Sequence, residues 1–345
     1  MTHPASPFIK GPLSPAQAAL VVSLAEAARR ADGVAPLSEH TLLHVQHPDA
    51  RPGGNGDDAG AVSSEGTGPA RDLLVVSDGI AVAYAHLDLV PDPETGDLSG
   101  ELVVHPAHRR RGHGSALVEA LFSGPAALFS PPGGTAHAVS GAPDSPKGGI
   151  RLWAHGDLPS AGAFAAAREF DRARSLWQMR RPLTAEPELP DPVFPPGVTV
   201  RTFVPGKDED AWLRVNARAF AHHPEQGAWT RADLDLREAE AWFDSRGFFL
   251  AERDGQLVGF HWTKVHPQGA DGLPEGEVYV VGIDPGRQGG GLGRALTSVG
   301  LRYLRERGLA YVMLYVDEDN TAATRMYTAL GFNRANTDVM YFRAR

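Results

Sequence analysis

The chain has no cysteine, which removes disulfide bridges, thiolate zinc ligands and a cysteine nucleophile together. Any catalysis therefore rests on carboxylate, Tyr, His, Lys or Ser side chains. It also has no apolar run long enough to span a bilayer, a length of about 18 residues or more, so no membrane partner is expected. Basic charge is in the minority, with 33 Lys and Arg against 42 Asp and Glu and a formal charge of −9. That balance argues against nucleic acid, whose affinity comes from neutralising phosphates with a basic surface. Met1 to Lys10 is polar and lacks the apolar core of a secretion signal, so the expected location is cytoplasmic. A monomer is the expected state.

With 345 residues, 42% of them hydrophobic, the chain suits two domains of about 150 residues each. Ser14-Pro15 followed by Leu20, Val21, Leu24, Ala27 and Ala28 predicts a capped amphipathic helix that Gly33 closes. Two stretches rich in Gly, Pro and Ser, at 48–70 and 123–149, read as loop insertions. Around them the chain repeats itself. Asp78-Gly79 and Asp254-Gly255 each sit between two β-rich runs, a hairpin signal. Val103-Val104-His105-Pro106 and Gly282-Ile283-Asp284-Pro285 then lead into Arg109-x-x-Gly112-x-Gly114 and Gln288-x-x-Gly291-x-Gly293. A strand ending in Asp, a helix and an aromatic close each copy, at Asp157 and Phe170 and at Asp319 and Phe332. Three landmarks in one order describe an internal duplication. The Pro-rich stretch 182–197 separates the copies and sets a boundary near Pro190, giving domains 1–189 and 190–345.

In the second copy a strand from Glu277 to Ile283 enters the Gly-rich loop, and a helix follows from Arg294. Glycines let backbone N–H groups converge, and the helix N-terminus adds a positive dipole end, so the loop forms an anion cradle. A P-loop needs Gly-Lys-Ser/Thr, and a dinucleotide fingerprint needs a different glycine spacing; neither is present. With the second strand Tyr311 to Val316 and then Asn320, Tyr327 and Leu330-Gly331-Phe332, the pattern resembles the GCN5-related N-acetyltransferase family. This resemblance covers most of 70–180 and 198–345. It implies two tandem acyl-CoA N-acyltransferase domains, each an α/β unit with a mixed sheet, and acetyl-CoA as cosubstrate without a metal.

By the same resemblance Gln288, Gly289, Gly290, Gly291, Leu292, Gly293 and Arg294 hold the pyrophosphate, and Val281, Gly282 and Ile283 lie along the pantetheine. Asn320, Thr321, Ala322, Ala323, Thr324 and Arg325 complete that coenzyme site. The first copy offers Leu102, Val103 and Val104 with Arg110, Arg111, Gly112, His113, Gly114 and Ser115. His222, His223, His261 and His266 invite a metal reading, but no fixed ligand spacing supports it. Trp212, Trp229, Trp242 and Trp262 read as core or cleft walls.

Acetyl transfer to an amine needs a base for the amine and an acid for the departing thiolate. Glu277 is the candidate base, on a strand where 277, 279, 281 and 283 should share one face. Tyr327, on a helix that Asn320 caps, is the candidate acid. At the repeat offsets the first copy has Leu98 and Ala165 in their places, so it is expected to be inactive.

The acceptor is read from resemblance alone. Phe220 to Gly227, Gly259 to Pro267 and Val278 to Pro285 resemble a duplicated branch of the family. Its members acetylate the cysteinyl amine of a cysteine–glucosamine–inositol precursor, a small-molecule substrate. That likeness implies that Glu39, Glu225, Lys264, Glu277 and Tyr315 contact the precursor. Two alternatives stay open: another amine acceptor, such as a protein N-terminus, an aminoglycoside or a polyamine, and a non-catalytic acyl-CoA sensor.

Overall fold

The computed structural model describes residues 9–46, 70–92, 95–123, 148–184, 188–221, 224–267, 269 and 272–345. Nearly all of the 48–70 and 123–149 insertions, and His222 and His223, lie outside them. The chain forms two compact units, one of residues 1–174 with 338–345, the other of 175–337.

In the first unit, β1 (Ile9–Lys10), α1 (Pro15–Asp32), α2 (Glu39–Gln46), β2 (Ala70–Ser77), β3 (Ile80–Asp88), β4 (Leu98–Val104), α3 (His113–Phe122), β5 (Gly149–Ala154) and α4 (Pro159–Ala166) follow in order. α1 begins as the sequence predicts, with a Ser14–Gln17 capping box and Pro15 in the first turn. It ends at Gly33 with φ 78°. Its apolar stripe, Val21, Leu24, Ala25 and Ala28, packs on Leu74, Tyr84 and Val103 of the sheet. On the opposite face Leu117, Val118, Leu121 and Ala165 of α3 and α4 cover Leu73, Val75 and Leu98.

β6 (Asp171–Pro182) crosses the division between the units. The second unit continues with β7 (Val198–Thr202), α5 (Glu209–Ala219), α6 (Pro224–Gly227), α7 (Arg231–Glu238), β8 (Phe248–Arg253), β9 (Gln256–His266), β10 (Glu275–Ile283), α8 (Leu292–Glu306), β11 (Tyr311–Asp317) and α9 (Thr321–Ala329). Residues 333–337 of β12 (Asn333–Ala344) belong to it, and the rest of β12 to the first unit. One face of its sheet carries α5, whose Trp212 packs on Phe248, Phe260 and Trp262, with Phe248 and Trp262 stacked at 4.4 Å. The other carries α8 and α9 over Val278, Val312, Leu314 and Val316.

The two sheets are built alike. Both hairpins turn through an Asp-Gly pair in the left-handed region, Asp78 and Gly79 at φ 51° and 77°, Asp254 and Gly255 at 54° and 71°, as a two-residue turn between twisted strands requires. In each, one parallel pair, β4 with β5 and β10 with β11, interrupts an otherwise antiparallel order. The last strand of each sheet is exchanged between the copies. β6, which follows the first copy, pairs with β11, and β12, which follows the second, pairs with β5. A single cut near Pro190 is therefore not how the compact units divide: β6 is hydrogen-bonded into the second unit from Leu176 to Pro182, and β12 into the first from Val339 to Ala344.

Candidate active site

The parallel ladder of β10 and β11 covers only Gly276–Val278 against Val312–Leu314. β10 runs on to Ile283 and β11 to Asp317, so beyond Val278 the two strands part. The cause lies in β10. Its register against β9 shifts by one residue between Val278 and Val280, leaving Tyr279 as the extra residue of a bulge.

The bulge also decides which side chains share a face. Directly opposed residues of neighbouring strands point the same way, and β10 opposes Glu277 to Lys264, Val280 to Trp262, and Val281 to His261. Glu277 thus shares the α5 face with Val280, while Val281 and Ile283 lie on the α8 face. This corrects the expectation that 277, 279, 281 and 283 line one face: one inserted residue inverts the alternation. Register also replaces Leu98 as the counterpart of Glu277. Glu277 opposes Met313 on β11, and in the first unit Ser99 holds that place against Arg151 of β5. β4 has no such bulge, so a constant sequence offset lands one residue out. Ala165 keeps its correspondence to Tyr327, each near the end of the helix that follows the parallel strand.

On the α5 face Glu277 and Lys264 are both buried. Glu277 Oε2 is 2.7 Å from His266 Nε2. Lys264 Nζ lies over the rings of Trp242 and Tyr279, at 4.4 and 5.1 Å from their centroids, and Arg237 donates to the Tyr279 hydroxyl at 2.9 Å. Aromatic faces attract the cation of Lys264 where water is scarce. The alternation on β11 puts Tyr315 on the same face as Met313, two residues along. Tyr315 is exposed, and its hydroxyl accepts from Gln178. Arg180 of β6 pairs with the buried Glu275. Carboxylate, ammonium, imidazole and phenol thus converge on one wall backed by Trp229, Trp242 and Trp262.

The α8 face supplies the other wall. Gly289, Gly290 and Gly291 stand in succession at φ 96°, 61° and 80°, a backbone that side chains with a Cβ resist. Gly291 caps α8 without any side-chain hydrogen bond to the first turn, and the loop 286–291 is exposed. Backbone donors at an uncapped helix start suit a pyrophosphate, so these residues fit the coenzyme. α9 starts with Asn320 accepting from the Ala323 N–H at 3.1 Å, as the sequence predicts. Tyr327, in its last turn, is buried among Leu301, Val316 and Phe332. Burial pushes its phenol up to about 12. The first unit repeats the cradle: Arg110 and Gly112 at φ 61° and 88°, and α3 starting uncapped at His113.

Lys264, Glu277 and Tyr315 therefore lie on one sheet face. Of Glu225 only the backbone, in α6, is described. Glu39 opens α2 in the first unit. His261 is a core residue bonded to the Leu296 carbonyl at 2.8 Å, so it and His266 do not form a joint metal site. Arg237, Gln178 and Arg180 stand in no motif of the sequence, and His266 stands out there only as a metal candidate. Its place opposite the strand of Glu277 follows from a register that the loop between β9 and β10 does not encode.

The profile of the acetyltransferase (GNAT) family matches residues 45–124 and 214–332. The chain belongs to this family, and it holds two tandem domains of that fold. It is 53% identical to the mycothiol acetyltransferase of Thermomonospora curvata over 95% of this chain and 94% of that protein. It is 51% identical to the mycothiol acetyltransferase of Thermobispora bispora, over 96% and 97%. Among solved structures, a GCN5-related N-acetyltransferase from Sphaerobacter thermophilus matches with a TM-score of 0.60 at 25% identity, covering 99% of this chain and 97% of that one. A tandem GNAT protein from the clavulanic acid biosynthesis pathway has the same fold, with a TM-score of 0.64 at 20% identity over 98% of both chains. No helix among the described residues is long and apolar enough to cross a membrane.

Proposed function

We propose that the chain carries out the mycothiol acetyltransferase reaction, moving acetyl from acetyl-CoA to the cysteinyl amine of desacetylmycothiol, the cysteine–glucosamine–inositol conjugate. Acetyl-CoA supplies an activated thioester; the rest is the work of this chain. Glu277 takes the proton of the attacking amine and shares it with His266, whose partly exposed ring leads toward solvent. Lys264 and Tyr315 offer a donor and a hydroxyl to the sugar and inositol oxygens, with Glu225 and Glu39 as further contacts. Val281, Gly282 and Ile283 border the opening between the strands, where backbone donors meet developing charge on the thioester oxygen without reorganisation. Tyr327 gives its proton to the departing sulfur. The loop 288–294 and residues 320–325 hold the coenzyme, and the 102–104 and 110–115 segments of the first unit form a second coenzyme cradle without a base or an acid.

What carries the acceptor is likeness along nearly the whole length to proteins named mycothiol acetyltransferase. What carries the chemistry is a buried carboxylate and a neutral phenol on opposite sides of parted strands. The test is CoA release from acetyl-CoA with the purified chain and desacetylmycothiol, beside a peptide N-terminus, an aminoglycoside and a polyamine. Turnover confined to desacetylmycothiol supports the reading. Turnover with another amine alone leaves an acetyltransferase with a different acceptor, and none with any amine favours an acyl-CoA sensor.

A further inference from the structure

Strand register gives the first unit its own version of the Lys264 face. β3 opposes β2 as β9 opposes β8, so His86 and Asp88 hold the positions of Trp262 and Lys264. Above them α2 presents His40 and His44 one turn apart, and Asp72 of β2 lies beside His86. Asp88 Oδ1 is 3.2 Å from His40 Nε2 and 3.2 Å from His86 Nε2, and donor atoms of the three side chains lie within 4.8 Å of one another. A tetrahedral ion with bonds of about 2.0–2.2 Å spaces its ligand atoms by roughly 3.3 Å.

The second nitrogen of His86 matters as much as the first. Nδ1 lies 2.9 Å from Asp72 Oδ1, with both residues almost wholly buried. Asp72 also accepts from the Tyr84 hydroxyl at 2.5 Å and faces His44 Nε2 at 3.2 Å. Between Asp72 and Asp88 the His86 ring is held in its protonated form, its value raised against the effect of burial by the two carboxylates; an ion arriving among Nε2, Asp88 and His40 would take the place of the Nε2 proton, while Asp72 keeps Nδ1–H, the arrangement by which a carboxylate fixes a metal-binding imidazole. The His40 side chain is 53% exposed, which leaves an entry path and room for a water as fourth ligand. The trio of His44, Asp72 and His86 is also close-set. It would use the nitrogen that Asp72 holds and a carboxylate already committed to Tyr84.

We propose that His40, His86 and Asp88 bind one divalent transition-metal ion, zinc by its match to two imidazoles and a carboxylate, and that the ion fastens α2 onto β3. This departs from the metal-free reading of the sequence, in which His40 stands far along the chain from His86 and Asp88. It is independent of the acetyl-transfer reading.

The experiment is Zn2+ titration of the untagged full-length chain against a chromophoric chelator, with Co2+ absorption as a report of geometry and thermal melts in parallel. One tightly held equivalent, tetrahedral cobalt bands and a Zn2+-dependent rise in Tm are expected. His40→Ala and Asp88→Asn, both at partly exposed positions, should weaken binding at least about tenfold, and His44→Ala less than about threefold. Circular dichroism checks that each variant folds. No stoichiometric binding, binding that survives in both His40→Ala and Asp88→Asn, or loss in His44→Ala with His40→Ala unaffected would each overturn the assignment.

Discussion

Glu277 and Tyr327 lie on opposite faces of one sheet, Glu277 beside Lys264 on the α5 face and Tyr327 among Leu301 and Val316 on the α8 face. The ladder of β10 and β11 ends at Val278, so beyond it no backbone pairing of the two strands closes the sheet between those faces. An amine entering from the α5 side and a thiolate leaving toward the α8 side would each meet the group suited to it.

Replacing Glu277 by Gln keeps the shape and removes the proposed base. We expect kcat to fall by about 10²–10⁴, with KM for acetyl-CoA within about threefold, because the proposed coenzyme cradle is on the other face. His266→Gln should cost roughly tenfold in kcat, since His266 meets Glu277 at 2.7 Å. Steady-state kinetics with both substrates varied checks this; a Glu277→Gln enzyme with wild-type kcat would sink the assignment.

The Tyr327 phenol, raised by burial from 10.0 to about 12, stays protonated across the working range. Tyr327→Phe should lower kcat by about 10–100-fold. The sign for stability follows from a raised folded-state value: the contribution is complete below pH 10 and is lost as pH climbs toward 12. The measurement is kcat from pH 6 to 10 for both enzymes. A basic limb near pH 8 that vanishes in Tyr327→Phe would contradict a phenol held this high.

Much of this site could be read from sequence because it is local. Asp-Gly turns, a Gly-rich strand-to-helix loop and an Asn cap act over a few residues, and their periodic recurrence exposed the duplication. What escaped depends on pairing between distant strands. Nothing near Tyr279 in sequence marks it as a bulge, yet that residue inverts the face of Glu277 and displaces its counterpart from Leu98 to Ser99. The exchange of β6 and β12 is equally silent, because either strand would suit either sheet edge by composition.

Gly300 tests the packing that holds α8 in place. A Cβ there would stand 2.0 Å from Cε1 of His261, a ring locked in the core through its bond to the Leu296 carbonyl. Gly300→Ala should destabilise the second unit by about 3 kcal/mol despite alanine's better helix propensity. His261 adds a pH signature. Burial lowers its value from 6.5 to about 4, so its contribution is complete above pH 6.5 and is lost as pH falls toward 4. Denaturant midpoints at pH 7.5 and 5 read both effects; an unchanged midpoint for Gly300→Ala would show that the ring can move aside.

Glu238 should reveal the opposite kind of site, one where the native residue is not the most stable choice. It ends α7 with Oε1 buried and without a hydrogen-bond partner. Burial first, then the nearby Glu209 and Asp235, raise its carboxyl from 4.5 to about 7. A raised value means that its contribution is complete below pH 4.5 and is lost as pH rises through about 7, so at pH 8 the folded chain carries an unfavourable buried charge. Gln has the same shape without that charge. Glu238→Gln should therefore be near neutral at pH 4.5 and stabilising by about 1 kcal/mol at pH 8, less than the full shift implies because the side chain is partly accessible. Thermal melts at the two pH values give the comparison, with a rise of about 2–4 °C in Tm expected only at the higher. Equal effects at both would mean that Glu238 is not protonated in the native state near neutrality.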